Sequence, residues 1–200
     1  MSTQPASSAP RFITPDHPLT AIEYLEIGEV EPGYAELAEG RLESSPSPVF
    51  DHGSAAFELG VQLRPQIPAE LRIILDMDVD LQLAPADAPG TVRRPDLIVV
   101  RRDARHRIRQ EGGLIRAAEV VVTVEFLSPS SRRLDHMVKR SEYADAGIPH
   151  YWIVDLDGPV SLTACHLAGE FGYMDGGPVA GTFRTSEPFP VEIDLDALLD

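Results

Sequence analysis

The chain contains very little cysteine, almost no lysine and no long apolar run. Cys165 is the single cysteine among 200 residues, which excludes an intrachain disulfide and a cysteine-rich zinc site. The adjacent His166 does not form a nucleophilic pair with it, because neighbours on a strand point to opposite faces. No apolar run approaches eighteen residues, and the first ten residues lack the charged start and apolar middle of a signal peptide. We therefore expect a cytoplasmic protein with a disordered segment at residues 1–15 and one domain at residues 16–200.

Lys139 is the only lysine, beside sixteen arginines. The ammonium group of a lysine is a compact point charge that interacts with one water or one phosphate oxygen, whereas the guanidinium group favours forked contacts. This difference suggests a chemical role for Lys139. The alternative is a solvated lysine on a helix surface, in a chain that simply prefers arginine.

The net charge of −15 argues against a general affinity for nucleic acid, because phosphates are bound mainly by lysine and arginine. The charge is unevenly distributed, however. Between Arg93 and Arg140 there are twelve basic and six acidic residues, a local balance of +6, while the remainder carries −21. Such a basic centre is where a polyanion could bind. A solvated arginine-rich loop from Arg101 to Arg109 is the alternative.

The spacing of apolar residues predicts an α/β domain. Helices are expected at Leu19 to Ile27, at Phe50 to Leu63 with Asp51 or Ser54 as its cap, and at Arg132 to Ala146, which begins after Ser130 and Ser131. Strands are expected at Glu36 to Leu42 with a turn at Gly40, Leu71 to Leu75, Val79 to Leu83, Leu97 to Val100, Val120 to Leu127, Tyr151 to Asp155 and Ser161 to His166. Further strands at Phe171 to Tyr173 and Thr182 to Arg184 would extend the sheet, and a short helix or strand would end the chain at Val191 to Leu199.

Three residues with chemical potential occur on consecutive predicted elements. Asp96 opens one buried strand, Glu125 lies on the next, and Lys139 follows on the helix after it. Two carboxylates from adjacent strands suit Mg²⁺, with water and a substrate phosphate completing its octahedron, and the carbonyl of Phe126 could be a third protein ligand. Asp135 lies four residues before Lys139, so the two share a helix face.

Each of these residues also has an ordinary structural interpretation. Glu125 could pair with Arg132 or Arg133, since a carboxylate among valines is costly to bury alone. Glu36 could be a solvated acid at a strand end, and His52 a hydrogen-bonding residue at a helix start. Tyr151 and Trp152 are expected in the core.

Three segments together resemble the Uma2 family of restriction endonucleases, which belongs to the PD-(D/E)xK superfamily. They are YAELAEGRLESSPSPVFDHG, PDLIVV and VEFLSPSSRRLDHMVKRSEYADAGIPHYWIVD, and the similarity extends from about Glu36 to Asp155. The resemblance implies a restriction-endonuclease-like fold, in which a mixed central sheet is flanked by helices. It also implies that Asp96 and Glu125 bind metal, that Lys139 is the catalytic lysine, and that Glu36 is an additional acid of the site.

Two details of the resemblance concern single positions. Leu127 stands two residues after Glu125, where the superfamily motif has its lysine, and Lys139 on the helix matches the place to which this family has moved it. His52 matches the family's histidine at a helix start, and the resemblance does not assign it a role.

The expected function is an endonuclease that uses Mg²⁺ or Mn²⁺ to hydrolyse phosphodiester bonds in DNA. A homodimer is expected if both strands of a duplex are cut, and no contact with a membrane is expected. The alternative is a catalytically inactive, nuclease-like module with a binding or regulatory role. The residues expected to contact nucleic acid are Arg93, Arg94, Arg132, Arg133, Arg140 and His52.

Overall fold

The structure is a computed structural model that describes residues 15–28, 34–45, 50–127 and 134–200. The segment expected to be disordered falls almost entirely outside these residues. Within them the chain forms four α-helices: α1 (Ala21–Ile27), α2 (Phe50–Leu63), α3 (Asp103–Glu111) and α4 (Arg140–Asp145). No helix in these described ranges is long and apolar enough to cross a membrane.

Fourteen strands are formed by the described residues. They are β1 (Tyr34–Ala38), β2 (Arg41–Ser45), β3 (Leu71–Leu75), β4 (Val79–Asp80), β5 (Val92–Arg93), β6 (Leu97–Arg101), β7 (Ile115–Arg116), β8 (Val120–Leu127), β9 (His150–Asp155), β10 (Ser161–Leu167), β11 (Tyr173–Asp175), β12 (Val179–Ala180), β13 (Thr182–Thr185) and β14 (Val191–Asp194).

The strands form a large mixed sheet, a smaller sheet and a hairpin. The large sheet has the order β11-β10-β9-β8-β6-β3, with β12 added to β10, and its one parallel pair is β8 with β9. The smaller sheet has the order β2-β1-β5-β4-β7, and β13 pairs with β14. This arrangement confirms the predicted α/β class with a mixed central sheet and flanking helices.

Strand β8 lies inside the large sheet and is covered on both faces. Val122, Val124 and Phe126 point into an apolar core that they share with the buried residues of α2. Side chains on a strand alternate between faces, so Thr123 and Glu125 point to the opposite side, where Tyr143 of α4 is buried. Because both faces of β8 are covered, its sequence is an almost continuous run of apolar residues.

Two short local motifs hold the amino-terminal elements in place. Thr20 caps α1, because its hydroxyl accepts a hydrogen bond from the backbone N–H of Glu23 while the Glu23 carboxylate accepts one from the backbone N–H of Thr20. Gly40 makes the turn between β1 and β2 at φ 79°, and a Cβ there would lie 2.8 Å from both Pro18 and Pro89. The predicted turn at Gly40 therefore needs glycine for backbone conformation and for space.

Several element boundaries differ from the prediction. Helix α2 begins at Phe50, so Asp51 and Ser54 lie inside the helix and neither caps it. The strand predicted from Val79 to Leu83 is only two residues long, β4. The arginine-rich segment predicted as a possible loop contains helix α3, and Arg107 on that helix pairs with Glu119.

The last predicted helix and the carboxyl-terminal strands also differ in detail. A π-helical turn, Leu134–Lys139, precedes α4, while the predicted start at Ser130 and Ser131 lies outside the described residues. Strand β11 extends the large sheet, but it runs from Tyr173 to Asp175 and shares only Tyr173 with the predicted strand, because Phe171 lies in a 3₁₀ turn. Strand β13 does not extend this sheet, because it pairs with β14 in a separate hairpin. The segment after that hairpin, Asp196–Leu199, is a 3₁₀ turn.

Candidate active site

Asp96 and Glu125 come from neighbouring antiparallel strands of the large sheet. Leu97 of β6 is the register partner of Val124 of β8, so Asp96 and Glu125 occupy the next position along the same pair of strands. Both carboxylates are buried. The structure thus places the two predicted acids side by side at one end of the sheet.

Lys139 ends the π-helical turn and reaches this pair of acids. Its Nζ lies 2.9 Å from Oε1 of Glu125 and 3.3 Å from Oε1 of Glu36, and only 4% of the residue is exposed. The interpretation of Lys139 as a solvated surface residue is therefore wrong. A buried ammonium loses its hydration, and two carboxylates compensate for that loss here.

Glu36 lies in the middle of β1 and is buried, so the interpretation of it as a solvated acid is also wrong. Its Oε1 accepts a hydrogen bond from the backbone N–H of Arg94 at 2.9 Å and faces Lys139. Its Oε2 accepts one from Nη1 of Arg93 at 3.1 Å. These contacts connect the smaller sheet to the candidate site on the large sheet.

The two carboxylate oxygens of Asp96 have different partners. Oδ2 accepts a hydrogen bond from the backbone N–H of Phe126 at 2.7 Å, and Oδ1 lies 2.8 Å from Nε2 of His52. His52 is in the first turn of α2, and its ring packs against that of Phe126 with centroids 5.5 Å apart. His52 therefore lies in contact with the Asp96 carboxylate.

Tyr143 also contacts the site, although its position in the sequence did not mark it as a candidate. Its hydroxyl donates a hydrogen bond of 2.7 Å to Oε1 of Glu125, the oxygen that also faces Lys139. Burial and the nearby Glu125 charge raise the pKa of Tyr143 well above its usual range, so the hydroxyl keeps its proton. Tyr143 lies four residues after Lys139, so both are on one helix face, and this spacing could have identified Tyr143 as part of the site.

Tyr34, Asp76 and Asp78 also lie near the site and were missed. Burial raises the pKa of Tyr34 to about 12, and the Lys139 charge acts in the opposite direction. The backbone N–H of Asp76 donates to the carbonyl of Asp96 at 3.2 Å. Burial and the Asp96 charge raise the pKa of Asp76. The available sequence feature was their position between two predicted strands, since Asp76 directly follows Leu71 to Leu75 and Asp78 directly precedes Val79 to Leu83.

Arg93 is buried inside an acidic cluster and does not face solvent. Only 1% of the residue is exposed, and its guanidinium donates to Glu36, to Glu43 at 3.0 Å and to both oxygens of Glu142 at 2.7 Å. A contact between Arg93 and a DNA backbone would break all of these interactions. The structure therefore corrects the expectation that Arg93 binds nucleic acid.

Arg94 and Arg140 are also held by carboxylates. Arg94 makes a two-pronged contact of 2.8 Å and 2.8 Å with Asp78, and its guanidinium lies 5.2 Å from the Tyr34 ring centre. Arg140 pairs with Asp175 at 2.7 Å. Both side chains are partly exposed, but each would have to leave an ion pair in order to bind phosphate.

Some sequence predictions fall outside the described residues. Arg132 and Arg133 are among these, both as expected contacts to nucleic acid and as the alternative partners of Glu125. The side chain of Asp135 is not described either. The described partners of Glu125 are Lys139 and Tyr143.

The candidate site buries carboxylates together with basic side chains. Among the described residues, the carboxylates of Glu36, Asp96 and Glu125 are buried beside the side chains of Arg93 and Lys139. Arg93 also pairs with Glu142. In the described part of the chain, no three histidine, cysteine, aspartate or glutamate side chains form a group that could hold a metal ion by themselves.

The comparisons with known proteins agree with this architecture. The family model of Uma2, described as "Putative restriction endonuclease", matches residues 22–171, so the chain belongs to this family. This membership supports a nuclease. A solved structure described as a "putative nuclease belonging to DUF820", from Anabaena variabilis, covers 92% of this chain and 100% of its own, with a TM-score of 0.65 and 19% identity. That likeness shows the shared fold. No curated protein matches the chain.

Proposed function

We propose that the protein is a divalent-metal-dependent endonuclease that hydrolyses phosphodiester bonds in DNA. One observation carries the proposal: the buried ammonium of Lys139 meets Glu125 beside Asp96 at one end of the sheet. A nuclease needs oxygen donors for a cation and a positive group for the phosphate or the attacking water. Membership of the Uma2 family supports this interpretation of the cluster.

The two strand carboxylates have the chemistry of a Mg²⁺ or Mn²⁺ site. Asp96 and Glu125 would hold the ion, with the carbonyl of Phe126 as a third protein ligand. Mg²⁺ commonly uses one or two protein carboxylates, with waters and substrate phosphate completing its shell. When bound, the ion would polarise the scissile phosphate and lower the pKa of a bound water.

Lys139 would act directly on the reacting groups. Glu125, Glu36 and the backbone of its own helix fix the position of its ammonium, which is therefore preorganised. From that position it can orient the attacking water or stabilise negative charge as it builds up on the phosphate. Leu127, which stands at the usual position of the superfamily lysine, is buried and apolar and cannot provide this charge.

Glu36, Tyr143 and His52 would act through other residues. Glu36 and Tyr143 hold Lys139 and Glu125 in place, and His52 holds Asp96. Such outer partners commonly change metal affinity or activity about 10–100-fold when they are removed. We assign all three as positioning residues, with Glu36 as the additional acid of the site.

If the substrate is a duplex, a two-fold symmetric homodimer would supply one active centre for each strand. Size-exclusion chromatography with light scattering measures this directly. A monomeric mass during duplex cleavage would contradict the homodimer and leave the assigned chemistry unchanged.

The decisive experiment is cleavage of plasmid DNA with Mg²⁺ or Mn²⁺. We expect nicking or linearisation by the wild-type chain, suppression by a chelator, and rates at least about 100-fold lower for Lys139→Ala and for Glu125→Gln. Arg184→Ala is the matched control, because this exposed arginine belongs to the separate β13–β14 hairpin and should leave cleavage unchanged. Circular dichroism verifies that each variant is folded.

Two results would overturn the proposal. Undiminished cleavage by both folded site variants would remove the residue assignment. No cleavage by the wild-type chain with either metal, on supercoiled, linear or single-stranded DNA, would favour the catalytically inactive binding or regulatory module.

A further inference from the structure

A groove runs along the outer edge of the large sheet, between helix α2 and strand β3. Its volume is about 590 Å³. Strand β3 is the terminal strand of this sheet within the described residues, so the groove is open on one side. We call it the α2–β3 groove, and its lining residues include Phe57, Val61, Arg64, Arg72, Leu75 and Arg102.

The α2–β3 groove is basic in an otherwise acidic protein. Arg64, Arg72 and Arg102 line it, and no aspartate or glutamate is among its lining residues. In the described part of the chain none of these three forms an ion pair, although Arg102 donates through Nε to the carbonyl of Leu71 at 3.1 Å. In a chain with a net charge of −15, three arginines without carboxylate partners in one groove favour an anionic ligand.

This pattern contrasts with the arginines close to the acidic site. Arg93 and Arg94 were expected to bind nucleic acid, but both are held by carboxylates. Arg64, Arg72 and Arg102 of the α2–β3 groove, by contrast, have no carboxylate partner among the described residues. The groove therefore offers positive charge beside the candidate site that the neighbouring acids do not neutralise.

The groove also exposes apolar and aromatic surface. Phe57 is 63% exposed and Val61 is 48% exposed, and the two lie four residues apart on one face of α2. An exposed aromatic ring next to arginines is the usual combination for single-stranded nucleic acid, because bases stack on the ring while phosphates meet the cations. A duplex keeps its bases paired and stacked, and so could not use the ring in this way.

The two walls of the α2–β3 groove are joined along the chain to residues that contact the candidate active site. Leu75 lines the groove, and the next residue, Asp76, donates its backbone N–H to the carbonyl of Asp96. On the other wall, His52 contacts Asp96 from the first turn of α2, and Phe57 follows one to two turns later on the same helix. Both walls of the groove therefore belong to elements whose ends contact Asp96.

We propose that the α2–β3 groove binds a single-stranded segment of the DNA substrate as it leaves the active site, with Arg64 and Arg72 on its phosphates and Phe57 against a base. This proposal rests on the proposed nuclease function, because that function defines the active site from which the DNA strand leaves. A second copy of the chain fits less well, because a two-fold contact would bring the arginines of the groove against their own equivalents.

The test is fluorescence anisotropy of a labelled single-stranded oligonucleotide, with the full chain and a chelator present so that binding is measured without cleavage. Arg64→Glu with Arg72→Glu should weaken binding at least about tenfold, and the slope of log affinity against log salt should fall by about 1.4, since each phosphate contact to a single strand contributes about 0.7. Phe57→Ala should weaken binding about fivefold or more for the single strand, with little change for a duplex of the same length.

The matched control is Arg105→Glu with Arg109→Glu, which makes the same change of charge on exposed positions of α3 that do not line the groove. It should alter affinity less than threefold. An equal loss of affinity in both double variants would show that only the overall charge matters, and this would overturn the proposal. Groove variants that bind the oligonucleotide as tightly as the wild type would overturn it as well.

The readout separates this proposal from the nuclease function. If the protein binds single-stranded DNA through the groove but never cleaves DNA, the groove proposal holds and the nuclease proposal fails. If the Arg64→Glu, Arg72→Glu variant cleaves single-stranded DNA normally, the nuclease proposal holds and the groove proposal fails.

Discussion

The two faces of strand β8 differ in what they bury. On the face toward α2, Val122, Val124 and Phe126 pack into a core of apolar side chains. On the face toward α4, Thr123 and Glu125 point into a region that also buries Lys139 and Tyr143. One strand thus stabilises the fold with its first face and carries the candidate chemistry on its second.

The difference shows how each face balances the free energy of burial. Apolar side chains gain by leaving water, at about 25 cal/mol for each Å² buried, and need no particular partner. Carboxylates and ammonium groups lose hydration and need opposite charges at hydrogen-bonding distance. The face toward α4 therefore depends on specific pairs, and substitutions on the two faces should behave differently.

The largest effect is expected for Arg93→Met, which removes the buried cation shared by Glu36, Glu43 and Glu142. Leaving these carboxylates without their partner should lower the free energy of unfolding by about 3–5 kcal/mol, measured by urea denaturation at neutral pH. Arg41→Met is the control, because Arg41 is exposed on β2 and its replacement should cost less than about 0.5 kcal/mol. Similar losses in the two variants would mean that the acidic cluster does not depend on Arg93.

A smaller loss is expected on the apolar face for Val124→Ala. Removing two buried methyl groups should lower the free energy of unfolding by about 2 kcal/mol through lost burial and a residual cavity. Val179→Ala, at a largely exposed position in β12, should change it little. DNA cleavage at a temperature where both variants remain folded should equal that of the wild type, and a large drop for Val124→Ala would show that the two faces are not independent.

The next substitution, at Thr123, is expected to raise the free energy of unfolding instead of lowering it. The Thr123 hydroxyl is fully buried and has no hydrogen-bond partner among the described residues. Thr123→Val replaces this hydroxyl with a methyl group of similar size, so we expect the protein to become more stable by about 1 kcal/mol. Thr182→Val, at an exposed position of β13, is the control and should be close to neutral. A destabilised Thr123→Val variant would show that the hydroxyl makes a favourable contact after all.

The smallest effect is expected at Asp76, whose ionisation should make the stability of the protein depend on pH. Its pKa is raised in the folded state, so stability decreases as pH rises from the ordinary range of an aspartate through this higher value. Asp76→Asn should therefore be slightly more stable than the wild type at neutral pH and equal to it near pH 3. Urea denaturation at several pH values measures the difference, and a constant offset between the two proteins would contradict this assignment.

The sequence predicted the elements whose patterns are local. These elements could be predicted from the apolar runs of β6 and β8, the alternation around them and the composition of α2. Burial of one or both faces of an element requires apolar residues at regular positions, and this spacing is visible in the sequence. It also gave Asp96, Glu125 and Lys139 as candidates, and the structure places them together. Their roles in metal binding and catalysis remain predictions.

Other parts of the site could not be predicted from local pattern. Whether Arg93 was a surface residue or a buried one depended on Glu43 and Glu142, which lie fifty and forty-nine positions away in the chain. The arginines of the α2–β3 groove were not singled out, because nothing in their neighbourhood in the sequence shows that they would remain without carboxylate partners. Tyr143 was the exception, since its spacing from Lys139 was visible.

The amino-acid sequence by itself determined the α/β class, the central apolar strands, the lone lysine and the acids that precede it, because these depend on composition and on periodicities of a few residues. Only the tertiary structure decided which charges neutralise one another. Ion pairs form between side chains that the fold brings within about 3 Å, and those contacts join β1, β5, β8 and α4 from distant parts of the chain.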